Sequence, residues 1–167
     1  MWHSQQLLCH MPIDNQDFIK RLRAITSDII TDEERLAVYE SDGLTAKKQL
    51  PGVVVIPDTI EQVQAITALC QSCEVPLVPR GAGTGLSGGA MPHHEGVLLV
   101  MARFNQVLDV DTSLRTATVQ PGVTNLAISE AVSNLGLYYA PDPSSQIACT
   151  IGGNVAENSG GVHCLKY

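Results

Sequence analysis

Five glycines fall within nine positions of the chain, in the stretch of residues 79–90 that reads Pro-Arg-Gly-Ala-Gly-Thr-Gly-Leu-Ser-Gly-Gly-Ala. Because glycine has no Cβ atom, it can adopt positive φ angles and bring main-chain N–H groups close to a ligand, as in sites that bind phosphate or pyrophosphate. A flexible linker would mix glycine with serine over a longer stretch, whereas this one directly follows the apolar residues 75–78. The pattern therefore predicts a phosphate-binding loop.

A strand, a helix and a second strand are predicted to position this loop. Residues 52–57 contain four consecutive β-branched side chains, and residues 58–73 have apolar positions at helical spacing behind Asp58 and Thr59, both good N-caps. A short strand over residues 77–79 then leads into the loop and completes a βαβ unit, right-handed if its strands are parallel. The loop is thus expected at the carboxyl end of a strand, where α/β proteins usually hold ligands.

Two helices are predicted before these elements. Apolar residues at helical spacing indicate a first helix with Asp14 as its N-cap. Thr31 and Glu34 have the spacing of a capping box, which predicts a second helix over residues 32–39. Polar residues and a glycine over residues 39–43 then indicate a loop.

Strands also follow the glycine-rich stretch. Residues 96–101 read as a buried strand, and residues 107–110 and 116–119 alternate as the two strands of a hairpin. Residues 125–135 have the apolar spacing of a helix that Gly136 would end. Strands and helices in this order indicate an α+β fold.

Two Gly-Gly pairs flank small polar residues within residues 150–161. Such pairs are common in turns, but here they are interpreted as a second surface that a ligand approaches closely.

Two familiar nucleotide sites are excluded by their context. Residues 83–88 match the spacing GxGxxG of dinucleotide-binding folds, but that fold needs a helix to open at the loop, and residues 89–96 cannot continue one. A Walker-type loop needs a lysine after its glycine, and no lysine lies between Lys48 and Lys166.

The composition limits the partners. The net charge of −7 and a pI near 5.0 argue against nucleic acid as the principal partner and against a polybasic membrane anchor. The chain has no apolar run of about 20 residues and no signal-peptide pattern at its start, so a cytoplasmic protein without a transmembrane segment is expected.

Cysteines and histidines do not form a recognisable metal or disulfide pattern. Five cysteines without a secretory signal are expected to be reduced, and the CxxC of Cys70 and Cys73 is expected to close a helix as buried or half-buried thiols. His93 and His94 are adjacent in a loop without a third ligand, so they are expected to face solvent, and His163 is interpreted as a structural histidine.

Taken together, the motifs resemble the PCMH-type, vanillyl-alcohol-oxidase-like FAD-binding flavoproteins, and within them the glycolate oxidase flavoprotein subunit and D-lactate dehydrogenase group. The resemblance extends over roughly residues 39–167, and it is specific because five motifs occur in order at compatible spacing. These motifs are residues 52–57, 79–89, 119–123, 141–145 and 150–156.

The resemblance implies the PCMH-type α+β fold, with mixed sheets, a βαβ unit and flanking helices, and FAD as the cofactor. Relatives that tether FAD through this loop have a histidine where this chain has Thr84, so non-covalent FAD is expected. No metal and no catalytic residue are assigned. The residues implied to bind FAD are Arg80, Gly81, Ala82, Gly83, Thr84, Gly85, Ser87, Gly88, Pro121, Gly122, Pro143, Ser144, Thr150, Gly152, Gly153, Asn154, Ser159, Gly160 and Gly161.

Relatives of this kind are much longer, so the chain is interpreted as an N-terminal fragment. Residues 1–50 would form an N-terminal helical segment and residues 51–167 an FAD-binding domain truncated at its C-terminus, with residues 164–167 entering a further strand. The domain that binds the 2-hydroxy acid substrate would be absent.

The activity implied for the family is oxidation of a D-2-hydroxy acid, of the glycolate or D-lactate type, by hydride transfer to FAD. The isolated chain is expected to lack a catalytic base and full activity. Electron-transfer partner subunits, and through them a peripheral place at the inner membrane, are also implied. Two alternatives stay open: a non-catalytic nucleotide-binding module, and a remnant that works only with a partner chain.

Overall fold

The structure is a computed structural model that describes residues 16–166. Its elements follow the order predicted from the sequence, with two additions, a two-residue strand near the start of the described residues and a helix near the end. The elements are α1 (Gln16–Ile25), β1 (Ile29–Ile30), α2 (Glu33–Leu36), a 3₁₀ turn (Ala37–Tyr39), β2 (Val53–Val55), α3 (Ile60–Ser72), β3 (Leu77–Arg80), β4 (Val97–Val100), β5 (Val107–Asp111), β6 (Thr116–Val119), α4 (Asn125–Val132), a second 3₁₀ turn (Ser133–Leu135) and α5 (Ile151–Ala156).

A four-stranded sheet in the order β1-β2-β4-β3 carries the site. β4 is parallel to both of its neighbours, and β1 pairs antiparallel with β2. The two strands of the predicted βαβ unit, β2 and β3, therefore run in the same direction but are separated by β4. β2 and β4 are buried throughout, as central strands require, whereas β3 lies at the edge and includes Pro79, which has no N–H to donate.

Side chains alternate between the two faces of this sheet, so each face has its own core. On one face, Val53 and Leu99 pack with Phe18 of α1 and Ile66 of α3. On the other face, Val54 belongs to a smaller cluster with other buried residues, namely Ile30, Leu36, Leu98 and Val100. The α1 helix thus contributes directly to the core of the sheet.

The helix caps agree only in part with the sequence-based predictions. The predicted capping box of Thr31 and Glu34 is wrong, because the cap of α2 is the next residue, Asp32. Its side chain accepts a hydrogen bond from the N–H of Arg35 at 3.1 Å. Thr59 caps α3 as expected. The predicted cap at Asp14 lies outside the described residues.

The second sheet is the predicted hairpin of β5 and β6, whose strands pair antiparallel. Its turn is closed by Asp111, whose Oδ1 accepts hydrogen bonds from the N–H groups of Ser113 and Leu114. The helix after it ends as predicted at Gly136, which has a φ of 68°.

The end of the chain differs from the sequence-based predictions in two places. No helix is predicted for residues 150–161, but most of them form α5 and its caps. Residues 162–166 form turns and not the expected strand, and Tyr167 lies outside the described residues. Within residues 16–166, no helix combines the length and apolar character that crossing a membrane requires.

The CxxC ends a helix as expected, since Cys70 lies in α3 and Cys73 caps it. Both thiols are buried, and so is Cys149, whereas Cys164 is exposed. Burial, with a smaller effect from Cys73, raises the pKa of Cys70 from 9.0 to about 12. Cys70 is therefore a protonated, unreactive thiol near neutral pH.

This pKa shift predicts a loss of stability in alkali. Between pH 9.0 and about 12, Cys70 is ionised in the unfolded chain but protonated in the folded chain, so the unfolded state binds fewer protons. The free energy of unfolding should then fall by about 1.4 kcal/mol per pH unit across this window. Urea unfolding of the wild-type and Cys70→Ala chains at several pH values measures this fall. The contributions of other titrating groups are the same in both chains, so they cancel when the two free energies of unfolding are subtracted. A parallel pH dependence of the two chains would contradict the prediction.

Candidate functional site

A cavity of about 330 Å³ lies between two segments that are distant in sequence. The first segment is the glycine loop, residues 81–90, which directly follows β3. The second segment, residues 145–159, contains α5 and is called the second wall below. The lining residues are Pro79, Gly81, Ala82, Gly83, Thr84, Gly85, Gly89, Ala90, Ser145, Cys149, Thr150, Gly153, Asn154, Ala156, Glu157 and Ser159.

The main chain of the glycine loop fits a phosphate ligand. Within the described chain, none of the N–H groups of residues 81–90 donates a hydrogen bond to another protein group. Gly83 and Gly88 have φ angles of 71° and 83°, which let the chain turn in a conformation that other residues rarely adopt. A row of N–H donors without protein partners, at the carboxyl end of a strand, can bind the oxygens of a pyrophosphate.

Arg80 supports this loop from outside the cavity. Its Nη1 donates hydrogen bonds to the carbonyl oxygens of Ser41, at 2.8 Å, and Ala90, at 3.4 Å, so it joins the two ends of the loop to an earlier segment. The guanidinium also lies 5.8 Å from the ring centre of Tyr39. Burial lowers the pKa of Arg80, and the nearby Asp42 and Tyr39 oppose that shift.

Gly43 contacts the glycine loop, and the sequence analysis does not identify it. A Cβ atom at this position would lie 2.6 Å from the carbonyl oxygens of both Thr84 and Gly85, so the loop main chain rests directly on it. Its neighbour Asp42 is buried, and Oδ1 of Asp42 accepts a hydrogen bond from the N–H of Leu44 at 2.9 Å. In the sequence, the only signal was a polar break that contains a glycine.

The second wall is held by contacts that need small residues. Thr150 caps α5, and the side chain of Thr150 contacts Gly81, where there is no room for a Cβ atom. A Cβ atom on Gly152 would lie 2.8 Å from the Cβ of Pro121. The N–H groups of Gly152 and Gly153 already donate to Pro121 and Thr150. These two N–H groups are therefore used within the protein, and Gly152 packs closely on Pro121. The interpretation of residues 150–161 as a surface that a ligand approaches closely stays a prediction.

A buried amide network fixes the position of α5. Asn125 is fully buried at the start of α4, and its Nδ2 donates to the carbonyl oxygen of Pro141 at 2.9 Å. Its Oδ1 accepts a hydrogen bond of 3.0 Å from Nδ2 of Asn154, which lies on α5. The network thus ties the second wall to α4 and to the turn at Pro141.

The predicted FAD-binding residues divide into two groups. Nine of them line the cavity, and these are Gly81, Ala82, Gly83, Thr84, Gly85, Thr150, Gly153, Asn154 and Ser159. The others lie around it and do not line it: Arg80, Ser87, Gly88, Pro121, Gly122, Pro143, Ser144, Gly152, Gly160 and Gly161.

Sequence reasoning missed several lining residues, of which Glu157 is chemically the most distinct. Its carboxylate Oε2 accepts a hydrogen bond from Oγ of Ser87 in the glycine loop. Among the described residues that line the cavity, it is the only one with a charged side chain. The signal in the sequence was its place between the two Gly-Gly pairs.

The three histidines within residues 16–166 are not among the residues that line the cavity. His93 and His94 stack on each other with ring centres 4.8 Å apart and are exposed, as predicted. His163 is exposed, and its Nδ1 lies 2.9 Å from Oδ2 of Asp142. Among the described residues, no three side chains of the kinds that bind metals come together.

A family model described as FAD binding domain matches residues 51–167. The chain belongs to this family of FAD-binding flavoproteins. It is 63% identical over 140 residues to the glycolate oxidase subunit GlcD of Escherichia coli (strain K12), a match that covers 84% of this chain and 28% of that protein. It is 45% identical over 130 residues to the GlcD subunit of Bacillus subtilis (strain 168), covering 78% of this chain and 28% of that protein.

Other matches are dehydrogenases of 2-hydroxy acids by name. The D-lactate dehydrogenase of Anaerostipes hadrus is 34% identical over 148 residues, or 87% of this chain and 30% of that protein. The resemblance predicted from the motifs is thereby confirmed, and FAD is the cofactor of the family. The chain spans only about 28% of the length of the GlcD relatives that it matches.

Solved structures confirm the PCMH-type fold. An alkyldihydroxyacetonephosphate synthase superposes with a TM-score of 0.81 at 23% identity, covering 99% of this chain and 33% of that one. A p-cresol methylhydroxylase superposes with a TM-score of 0.67 at 19% identity, covering 83% of this chain and 28% of that one.

Proposed function

We propose that the chain is the FAD-binding part of an oxidoreductase that oxidises a D-2-hydroxy acid of the glycolate or D-lactate type. The observation that carries the proposal is the glycine loop, whose N–H groups have no protein partner within the described chain and most of whose residues line a cavity after β3. The similarity to glycolate oxidase and D-lactate dehydrogenase proteins supports the substrate class.

Each part of the cavity would have a distinct task in holding the cofactor. The N–H groups of Gly81 to Gly85 would bind the pyrophosphate, while Thr150 and Asn154 of the second wall would position the rest of FAD against the loop. When bound, FAD supplies the capacity to accept a hydride from the α-carbon of the hydroxy acid. The protein contributes binding and orientation, and the two walls exclude water from the bound dinucleotide.

The remaining parts of the proposal concern the whole protein. The proposed division places an N-terminal helical segment at residues 1–50 and an incomplete FAD-binding domain at residues 51–167, with the hydroxy acid bound by a domain outside this chain. Within the described residues, α1 and β1 of the first segment join the core and the sheet of the second. Electron-transfer partner subunits, with a peripheral place at the inner membrane through them, belong to the same proposal. The share of the relatives that the chain covers, 28% for GlcD of E. coli, supports this division.

We further propose that FAD is held without a covalent bond, because Thr84 offers no nucleophile comparable to histidine at the tethering position. The purified 167-residue chain, loaded with FAD and precipitated with acid, should release all of its flavin to the supernatant. Visible absorbance of the supernatant and pellet measures this. Yellow colour retained in the washed pellet would contradict it.

The same preparation tests the activity of the isolated chain. We expect that glycolate or D-lactate does not bleach the flavin absorbance, because no catalytic base is assigned to this chain. Substrate-dependent bleaching would show that this part is wrong. Binding of ADP without binding of FAD would instead favour a non-catalytic nucleotide-binding module, and binding of neither would favour a remnant that needs a partner chain.

A further inference from the structure

Glu157 joins the two walls of the cavity across 70 residues of sequence. It caps the C-terminus of α5, where its N–H donates to the carbonyl oxygen of Gly153 at 2.9 Å. Its side chain reaches the glycine loop and accepts the hydrogen bond from Oγ of Ser87. One side chain thus connects a helix end, fixed by the buried amide network, with a loop whose N–H groups have no protein partner.

The carboxylate lies against the loop main chain. Its Oε1 is 3.3 Å from the position of a Cβ atom on Gly85 and 2.5 Å from that on Gly89. A side chain at the second of these positions would displace the carboxylate from the place it occupies here. The close approach therefore gives a reason for Gly89 that phosphate binding alone does not provide.

The charge of Glu157 is unusual for a phosphate-binding site. It is the only charged side chain among the described residues that line the cavity, and no described basic residue pairs with it. A pyrophosphate bound by the loop would bring a second group of negative charge into the same cavity. Like charges in one cavity repel each other, and because Glu157 and Ser87 are exposed, solvent screens part of this repulsion.

We propose that Glu157 is a positioning residue that latches the glycine loop through Ser87, while its charge limits affinity for diphosphate-containing ligands. The inference rests on the proposed FAD site. The hydrogen bond holds the loop in one conformation before the cofactor arrives, and the negative charge opposes the pyrophosphate. The two effects act in opposite directions, so they can be separated by substitution.

Glu157→Gln separates the effect of the hydrogen bond from the effect of the charge. The amide oxygen of glutamine can still accept the hydrogen bond from Ser87 but carries no charge. This variant should bind FAD about tenfold more tightly than the wild-type chain, as measured by quenching of flavin fluorescence. Inorganic pyrophosphate, measured by calorimetry, should show the same gain, whereas riboflavin, which has no phosphate, should bind equally to both chains. Glu34→Gln on α2 makes the same change in net charge outside the cavity and should alter none of these affinities.

The hydrogen bond between Ser87 and Glu157, called the latch below, can be tested without the cofactor. Leu86 is exposed in the loop, so chymotrypsin cleavage after Leu86 in the cofactor-free chain reports how firmly the loop is held. Ser87→Ala and Glu157→Ala should be cleaved about threefold faster or more, and Glu157→Gln at the wild-type rate.

The outcomes distinguish the possible failures. Unchanged FAD and pyrophosphate affinity in Glu157→Gln, or an equal gain for riboflavin, would overturn the role of the charge. Equal cleavage rates in all four chains would overturn the latch. A wild-type chain that binds neither FAD nor pyrophosphate would instead refute the proposed function, while the cleavage rates would still decide the latch.

Discussion

Replacing Gly43 with alanine is expected to weaken FAD binding by about tenfold or more, although residue 43 does not line the cavity. The added Cβ atom would lie 2.6 Å from the carbonyl oxygens of Thr84 and Gly85, and both atoms belong to the loop main chain. Main-chain atoms cannot rotate away as a flexible side chain can, so the loop itself must shift. Its N–H donors would then no longer meet the pyrophosphate oxygens together.

Gly136→Ala is the matched control for this variant. Gly136 has a φ of 68°, so alanine is strained there, but a Cβ atom would contact nothing within 4 Å. This variant should lose about 1 kcal/mol of stability and keep its FAD affinity. Titration of FAD by fluorescence quenching, with urea unfolding of each chain, measures both quantities. The prediction for Gly43 fails if the Gly43→Ala chain binds FAD as tightly as the wild type.

The sequence predicted well those features that neighbouring residues determine. Val53 to Val55 are β-branched and buried, and the alternation of β5 and β6 gives the hairpin, because side-chain periodicity reflects which face is buried. The glycine loop could also be located, since its spacing excludes a helix. The exclusion of a dinucleotide-binding fold of the GxGxxG type is confirmed, because the element after the loop is a strand, β4, and not a helix.

Features that depend on distant contacts could not be predicted from one sequence. β4 lies between β2 and β3, and this order depends on which strands are best buried on both faces. The periodicity of apolar residues in the sequence does not show which strand is central. The helix α5 was missed because two glycines disfavour a helix locally, whereas the cap by Thr150 and the packing on Pro121 favour it.

The same limit applies to the site. Of the lining residues, Gly81 to Gly85 could be found because the density of glycines marks the loop in the sequence. Glu157 could not be assigned, since its role depends on Ser87, a partner 70 residues earlier. Gly43 is a similar case, because its close neighbours are carbonyl oxygens of a loop about 40 residues later in the chain.

Replacing Asn125 with alanine is expected to lower the free energy of unfolding by about 2–4 kcal/mol. Asn125 is fully buried and uses both ends of its amide, donating to Pro141 and accepting from Asn154. Alanine would leave the half-buried carbonyl of Pro141 and the buried amide of Asn154 without these partners. Each such group costs about 1–3 kcal/mol, and the lost side-chain volume adds to that cost.

Asn105→Ala provides the comparison, because Asn105 is exposed and its removal should change stability by only about 0.5 kcal/mol or less. Urea unfolding of Asn125→Ala, Asn154→Ala and the double variant forms a thermodynamic cycle. If the two amides act as one network, the double variant should be more stable than the sum of the single losses predicts, by about 1 kcal/mol or more. Additive losses would mean that the 3.0 Å hydrogen bond between Asn125 and Asn154 contributes little. The second wall would then owe its position to the packing of Gly152 on Pro121.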